Sequence, residues 1–138
     1  MQIKVVNRPH KGRNGAVYIG RGGRGSAGSP LANPRRLGDR KPGGGVWARG
    51  ETITLFELDL RRVLDRTVAV AEWWDGGRGG YRRLSAAERS GMQNELQRLL
   101  GIALRGPLEL DCFCSPLPCH GDVIRRVLEE MAAGPPRA

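Results

Sequence analysis

Three cysteines and one of the two histidines fall within nine residues, in Cys112-Phe113-Cys114-Ser115-Pro116-Leu117-Pro118-Cys119-His120-Gly121-Asp122. If residues 108–114 form a strand, Cys112 and Cys114 at i and i+2 point to one face and both sulfurs can reach one ion. Two prolines in the turn 115–118 can bring Cys119 back toward them. His120 would then complete a Cys₃His set, and zinc is the cofactor such a set accepts. The spacing is not the common Cys-x-x-Cys form, and adjacent Cys119 and His120 would both have to turn inward.

The same residues admit a nucleophilic reading. Cys119 precedes an apolar-periodic segment, so a helix N-terminus and a neighbouring imidazole would lower its thiol pKa. Asp122 would cap that helix or orient His120, making Cys119, His120 and Asp122 the candidate catalytic residues. A plainer reading keeps Cys112 and Cys114 as small buried hydrophobes and His120 as a helix-start residue.

A second chemical signal is electrostatic. Net charge is +9. Residues 1–50 carry eleven Lys/Arg against Asp39 alone, whereas residues 51–138 carry twelve against thirteen acids. A positive field confined to one region suits a phosphate-bearing or polyanionic partner, a nucleotide or a nucleic acid. Its glycine-rich part, residues 20–36, could turn backbone N–H groups onto an anion, with Arg21, Arg24, Arg35 and Arg36 clamping its oxygens. It is neither a Walker loop nor a dinucleotide fingerprint, since no Gly-Lys-Ser/Thr follows and no helix opens where one is needed. No apolar run is long enough to span a membrane, no signal-peptide core is visible, and an odd cysteine count argues against a disulfide framework. The expected location is cytoplasmic.

The elements that would position these groups make one domain over residues 1–138, with a basic loop-rich segment at 20–50 and the Cys/His motif plus a helix at 108–133. Residues 2–6 and 16–20 read as short strands, able to form a hairpin across 11–15. Residues 37–50 read as a flexible connection. A helix is expected from about Thr52 to Arg66, with Leu55, Phe56, Leu58, Leu60, Val63 and Leu64 on its apolar face. Residues 67–74 favour a strand, and the Gly/Arg patch 75–83 with Trp73, Trp74 and Tyr81 could stack on a base or simply pack. Ser85 and Glu88 form a capping-box signature for a helix ending at Arg105, with Gly106 as its terminal glycine and Pro107 beyond. The last helix starts near His120 and buries Val123, Ile124, Val127, Leu128 and Met131. The expected fold class is therefore a small α/β domain, a short mixed or parallel sheet packed by about three helices. A parallel pairing of residues 2–6 with 108–114 would put the cysteine motif at the strand's C-terminal end, where such folds bind ligands.

Val6-Asn7-Arg8, Tyr18-Ile19-Gly20-Arg21, Ser29-Pro30-Leu31-Ala32-Asn33-Pro34 and the run from Leu110 to Ile124 together resemble a family of phages and bacteria called domain of unknown function 4326. The likeness covers nearly the whole chain. Ala32 and Phe113 depart from the family's usual Gly and Trp, and residues 22–28 are expanded. The resemblance implies one composite site, joining the Asn/Arg/Asn-Pro positions to the Cys/His motif. Asn7, Arg8, Tyr18, Arg21 and Asn33 would contact a nucleotide-like ligand, and Cys112, Cys114, Cys119 and His120 would form the metal or thiol centre. Phage membership would imply action in a host cytoplasm. Two other classes fit the same residues: a nucleic-acid-binding module with a structural zinc knuckle, and a phage inhibitor that sequesters a host molecule without turnover.

Overall fold

The chain orders as β1 (Ile3–Val6), β2 (Val17–Tyr18), α1 (Arg49–Leu64), β3 (Glu72–Asp75), β4 (Gly80–Arg83), α2 (Ala86–Arg105), β5 (Leu108–Asp111) and α3 (His120–Ala133). The structure is a computed structural model that describes residues 1–12, 15–22 and 28–134. Arg24, singled out in the sequence, lies outside the described residues.

β5 is the centre of a three-stranded sheet in the order β1-β5-β2. The expected parallel pairing is present, with Ile3 opposite Leu108 and Val6 opposite Asp111. The expected hairpin of the first two strands is not. β2 also runs parallel to β5, on its other edge, with Val17 opposite Leu110. The physical reason is the burial of β5, where Leu108, Leu110 and Asp111 are at most 1% exposed. A central strand enclosed this way needs a ladder on both edges, and β1 paired with β2 would leave one of them unsatisfied.

α3 packs against α1, α2 and β1, closing a core that includes Ile19, Phe56, Leu60, Leu96, Leu110 and Ile124. α1 buries Thr52, Phe56, Asp59, Leu60 and Val63. Leu58, expected on that face, is half exposed, and Asp59 takes the buried place because Arg35 lies opposite it. α2 has its capping box: Ser85 Oγ accepts from the Glu88 N–H at 3.0 Å, and Glu88 Oε1 accepts from the Ser85 N–H at 3.0 Å. α2 ends at Arg105 as expected, but Gly106 is extended at φ 176°. Its lack of a side chain is therefore not what stops the helix. Pro107 is, because it disfavours helical geometry in the residue before it.

Residues 37–50 are not the loose connection their composition suggested. Arg40 bridges Val46, the Trp47 N–H donates to the Asp39 carbonyl at 2.9 Å, and three consecutive glycines with positive φ, Gly43 to Gly45, make the tip. Trp47 is buried edge-on against Trp74, with ring centroids 5.6 Å apart. That contact orders the loop. β3 and β4 form an antiparallel hairpin, so the Gly/Arg patch 75–83 is its turn and second strand. Trp73 and Trp74 are buried, which makes their role packing.

Candidate functional site

At the C-terminal end of β5 the chain turns through the cysteine loop and enters α3. This loop is anchored to β1 and the segment after it. Asn7 Nδ2 donates to the Phe113 carbonyl at 3.2 Å, and Ser115 Oγ donates to the Val5 carbonyl at 3.1 Å. Beneath it lies a charge pair that the sequence reading missed. Lys11 Nζ sits 2.9 Å from Asp111 Oδ1, with the two side chains 6% and 0% exposed. Asp111 also accepts from the backbone N–H groups of Arg8 at 2.9 Å and Gly12 at 3.3 Å. Lys11 further donates to the carbonyls of Arg8 and Cys112 and to Asn7 Oδ1. A buried charge needs such partners, and these pin the start of the cysteine loop to the turn after β1.

α3 is capped by reciprocal bonds. Asp122 Oδ2 accepts from the Cys119 N–H at 3.0 Å, and Cys119 Sγ accepts from the Gly121 N–H at 3.3 Å. Gly121 is required for a packing reason: a Cβ there would stand 2.9 Å from Val5 Cγ1 and 3.0 Å from Ile19 Cδ1. Its absence lets the first turn of α3 lie directly on the sheet.

Cys112 Sγ and Cys119 Sγ are 3.2 Å apart and both residues are buried. The hydrogen bond from Cys119 holds the Cys112 thiol down to about 6, against the opposing effect of burial and with help from the Ser115 and Cys114 backbone and the Lys11 charge. That same bond, followed by burial, pushes the Cys119 thiol up. The two thiols titrate as a pair, the first proton leaving more readily than from a lone thiol and the second less readily.

His120 is buried, with its Nε2 2.8 Å from the Ile19 carbonyl and its ring edge-on to Phe56 at 5.1 Å. A carbonyl can only accept, so Nε2 carries the proton. Burial pushes the His120 pKa below its ordinary value, leaving the ring neutral. Asp122 bonds the cap and His120 bonds Ile19, so no Cys119–His120–Asp122 hydrogen-bond relay is formed. The reason is local: His120 opens the helix while Cys119 is still extended, at φ −152°, so neighbouring side chains diverge. The strand ends at Asp111, so Cys112 is buried while Cys114 is half-buried. Among the described residues no three His, Cys, Asp or Glu side chains converge in a metal-holding group.

Cys112, Cys114, Cys119 and His120 all line one cleft of about 600 Å³. Tyr18, Arg21 and Asn33 of the expected ligand residues line it too. Asn7 and Arg8 do not: Asn7 braces the cysteine loop, and the Arg8 guanidinium pairs with Glu109 outside the cleft. Arg35, Arg36 and Arg49 join Arg21 on the wall, with Asp39 the acid among them. Arg21 and Arg49 donate to the neutral carbonyls of Asn33 at 2.9 Å and Pro118 at 3.1 Å. Neither they nor Arg36 enter an ion pair among the described residues. Burial, then the neighbouring Arg36 charge, lowers the Arg21 pKa. Tyr18 and Phe113 meet edge-to-face at 5.9 Å beside it.

Arg35 is different. It is 3% exposed and lies between the rings of Trp74, Trp47 and Tyr81, at 4.7, 5.3 and 5.5 Å. Nη1 bonds Asp59 at 3.0 Å and Nη2 bonds the Tyr81 hydroxyl at 2.9 Å, while the buried Nε has no partner among the described residues. A second hollow of about 560 Å³ shares Arg21, Arg36 and Asp39 with the cleft and reaches Arg82 on β4.

No helix of the described residues is long and apolar enough to cross a membrane. No curated protein and no solved structure gives a match to this chain. Residues 5–130 match the family described as domain of unknown function (DUF4326). That span runs from within β1 through most of α3, with both the cleft and the cysteine loop, so the chain belongs to this family.

Proposed function

We propose that this domain binds a phosphate-bearing, nucleotide-like ligand in the cleft that Arg21 and Asn33 line together with the cysteine loop. The supporting observation is the set of cleft arginines, Arg21, Arg36 and Arg49, which face one cavity with no carboxylate paired to them among the described residues. Guanidinium groups held close on a partly desolvated wall repel one another, and an anion between them relieves that repulsion. The first turn of α3 adds its positive end to the same wall, through Cys119 and His120. A volume of about 600 Å³ admits a mononucleotide-sized molecule, and the Tyr18 and Phe113 rings offer apolar surface at its edge. The thiol pair and the neutral His120 would then face the ligand.

The test is binding of a nucleotide panel followed by Arg21→Ala and by a salt series. A mononucleotide site loses most affinity in Arg21→Ala and shows a shallow salt slope. Preference for long DNA or RNA, with a steep slope, would replace this reading with the nucleic-acid module. No binding to any nucleotide would end it.

A further inference from the structure

The fold sets Cys112 beside Cys119, and this pairing has a chemical consequence of its own. We propose that Cys112 and Cys119 are a redox-active dithiol that exchanges with a low-molecular-weight disulfide entering the cleft and closes to an intramolecular disulfide. The sulfurs stand 3.2 Å apart, so a bond of about 2.05 Å needs them to approach by little more than about 1 Å.

Both backbones are fixed, so that approach falls on the side chains. The Cys112 N–H donates to the Val6 carbonyl at 2.9 Å, one step past the end of β5. Cys119 is held as the cap of α3 by Asp122 and Gly121. The residues are 2% and 3% exposed, yet both lie on the cleft wall. Only a reagent that enters the cleft can reach them, which sets them apart from an ordinary surface thiol.

The step balances with the named oxidant. The Cys112 thiolate attacks one sulfur of the small disulfide, forming a mixed disulfide and releasing one thiolate. Cys119 gives its proton to that thiolate, and its sulfur attacks the Cys112 sulfur, expelling the second thiolate, which takes a proton from water. Two electrons pass from the protein to the small disulfide, which leaves as two thiols. Closing the bond removes the thiolate and the S–H from the cleft wall. Exchange does not depend on the nucleotide reading and fails or succeeds without it.

The experiment uses the full chain, wild type and Cys114→Ser, equilibrated with graded mixtures of oxidised and reduced glutathione, quenched in acid, and read by intact mass and peptide mapping. The expected result is a mass lower by two hydrogens with no glutathione retained at either residue, a mapped Cys112–Cys119 link, and full return under a dithiol reductant. Cys119→Ser should instead trap glutathione on Cys112. If that variant does not fold, the mapping of the other two proteins still decides. A pair that stays reduced in excess oxidised glutathione, a link that includes Cys114, or an adduct that persists on Cys112 in wild type would overturn the proposal.

Discussion

Replacing Lys11 with methionine removes the ammonium that joins the turn after β1 to the cysteine loop. In the folded chain that group has four acceptors: Asp111 Oδ1 at 2.9 Å, Asn7 Oδ1 at 2.5 Å, the Arg8 carbonyl at 2.7 Å and the Cys112 carbonyl at 3.1 Å. Methionine keeps the stem's volume and leaves a fully buried Asp111 carboxylate with only two backbone N–H donors. Breaking a buried pair from one side costs about 3–5 kcal/mol, out of roughly 5–15 kcal/mol for a domain of this kind. With a urea slope near 2 kcal/mol per molar, the unfolding midpoint should fall by about 2 M. Lys11→Met combined with Asp111→Asn removes the stranded charge and should recover a good part of the loss, giving a coupling measurable by double-mutant cycle. A single-variant loss under about 1 kcal/mol, or a double variant no more stable than the single, would refute the assignment of Lys11 as the buried partner of Asp111.

Three other perturbations follow from the same geometry. Because burial lowers the His120 pKa below its unfolded value near 6.5, its contribution to stability is complete above that pH and is lost as pH falls toward the folded value. Urea midpoints should drop between pH 7 and 5, with a slope approaching about 1.4 kcal/mol per pH unit that His120→Gln removes; a wild type that gains stability on acidification contradicts this. Tyr81→Phe deletes the hydroxyl that joins Arg35 to Asp59 and should cost about 1–2 kcal/mol in chemical denaturation, whereas a neutral result would mean the hydroxyl carries no load there. Gly121→Ala places a methyl 2.9 Å from Val5 and should cost about 1–3 kcal/mol, read as a lower melting temperature; an unchanged value would show that the first turn of α3 has room to shift.

Much of this fold was legible because its signals are local. The Ser85–Glu88 capping box, the apolar face of the last helix and the alternation of residues 108–111 each depend on neighbours in sequence, and each appears in the structure. The parallel pairing of β1 with β5 followed from the helices between them. What was missed is long-range. β2 lies on the far edge of β5 because β5 is buried on both sides, and nothing in residues 16–20 states that. Asp59 reads as one more charge on an amphipathic helix until Arg35, twenty-four residues earlier, is set against it. Lys11 and Asp111, one hundred residues apart, read as solvated charges for the same reason.

The candidate site divides the same way. Tyr18, Arg21, Asn33 and the Cys/His residues line one cleft. Asn7 and Arg8 were grouped with them through the family resemblance, and in the structure Asn7 braces the loop and Arg8 pairs with Glu109. The i, i+2 argument for Cys112 and Cys114 assumes a strand running through Cys114, whereas the strand stops at Asp111; the return of Cys119 toward Cys112 was readable from the two prolines of the turn. Arg35, Arg36 and Arg49 carried a signal in the lopsided charge of residues 1–50. Which of those cations face one cavity, and which is enclosed by tryptophans, is decided only by packing.

The most direct test of the central claim is calorimetric titration of the full chain with a nucleoside and its mono-, di- and triphosphates under reducing conditions. The cleft arginines predict that affinity depends on phosphate, with the nucleoside at least tenfold weaker than its phosphorylated forms, a difference of about 1.4 kcal/mol or more. Equal affinity for the nucleoside, or no heat from any member of the series, would contradict the account.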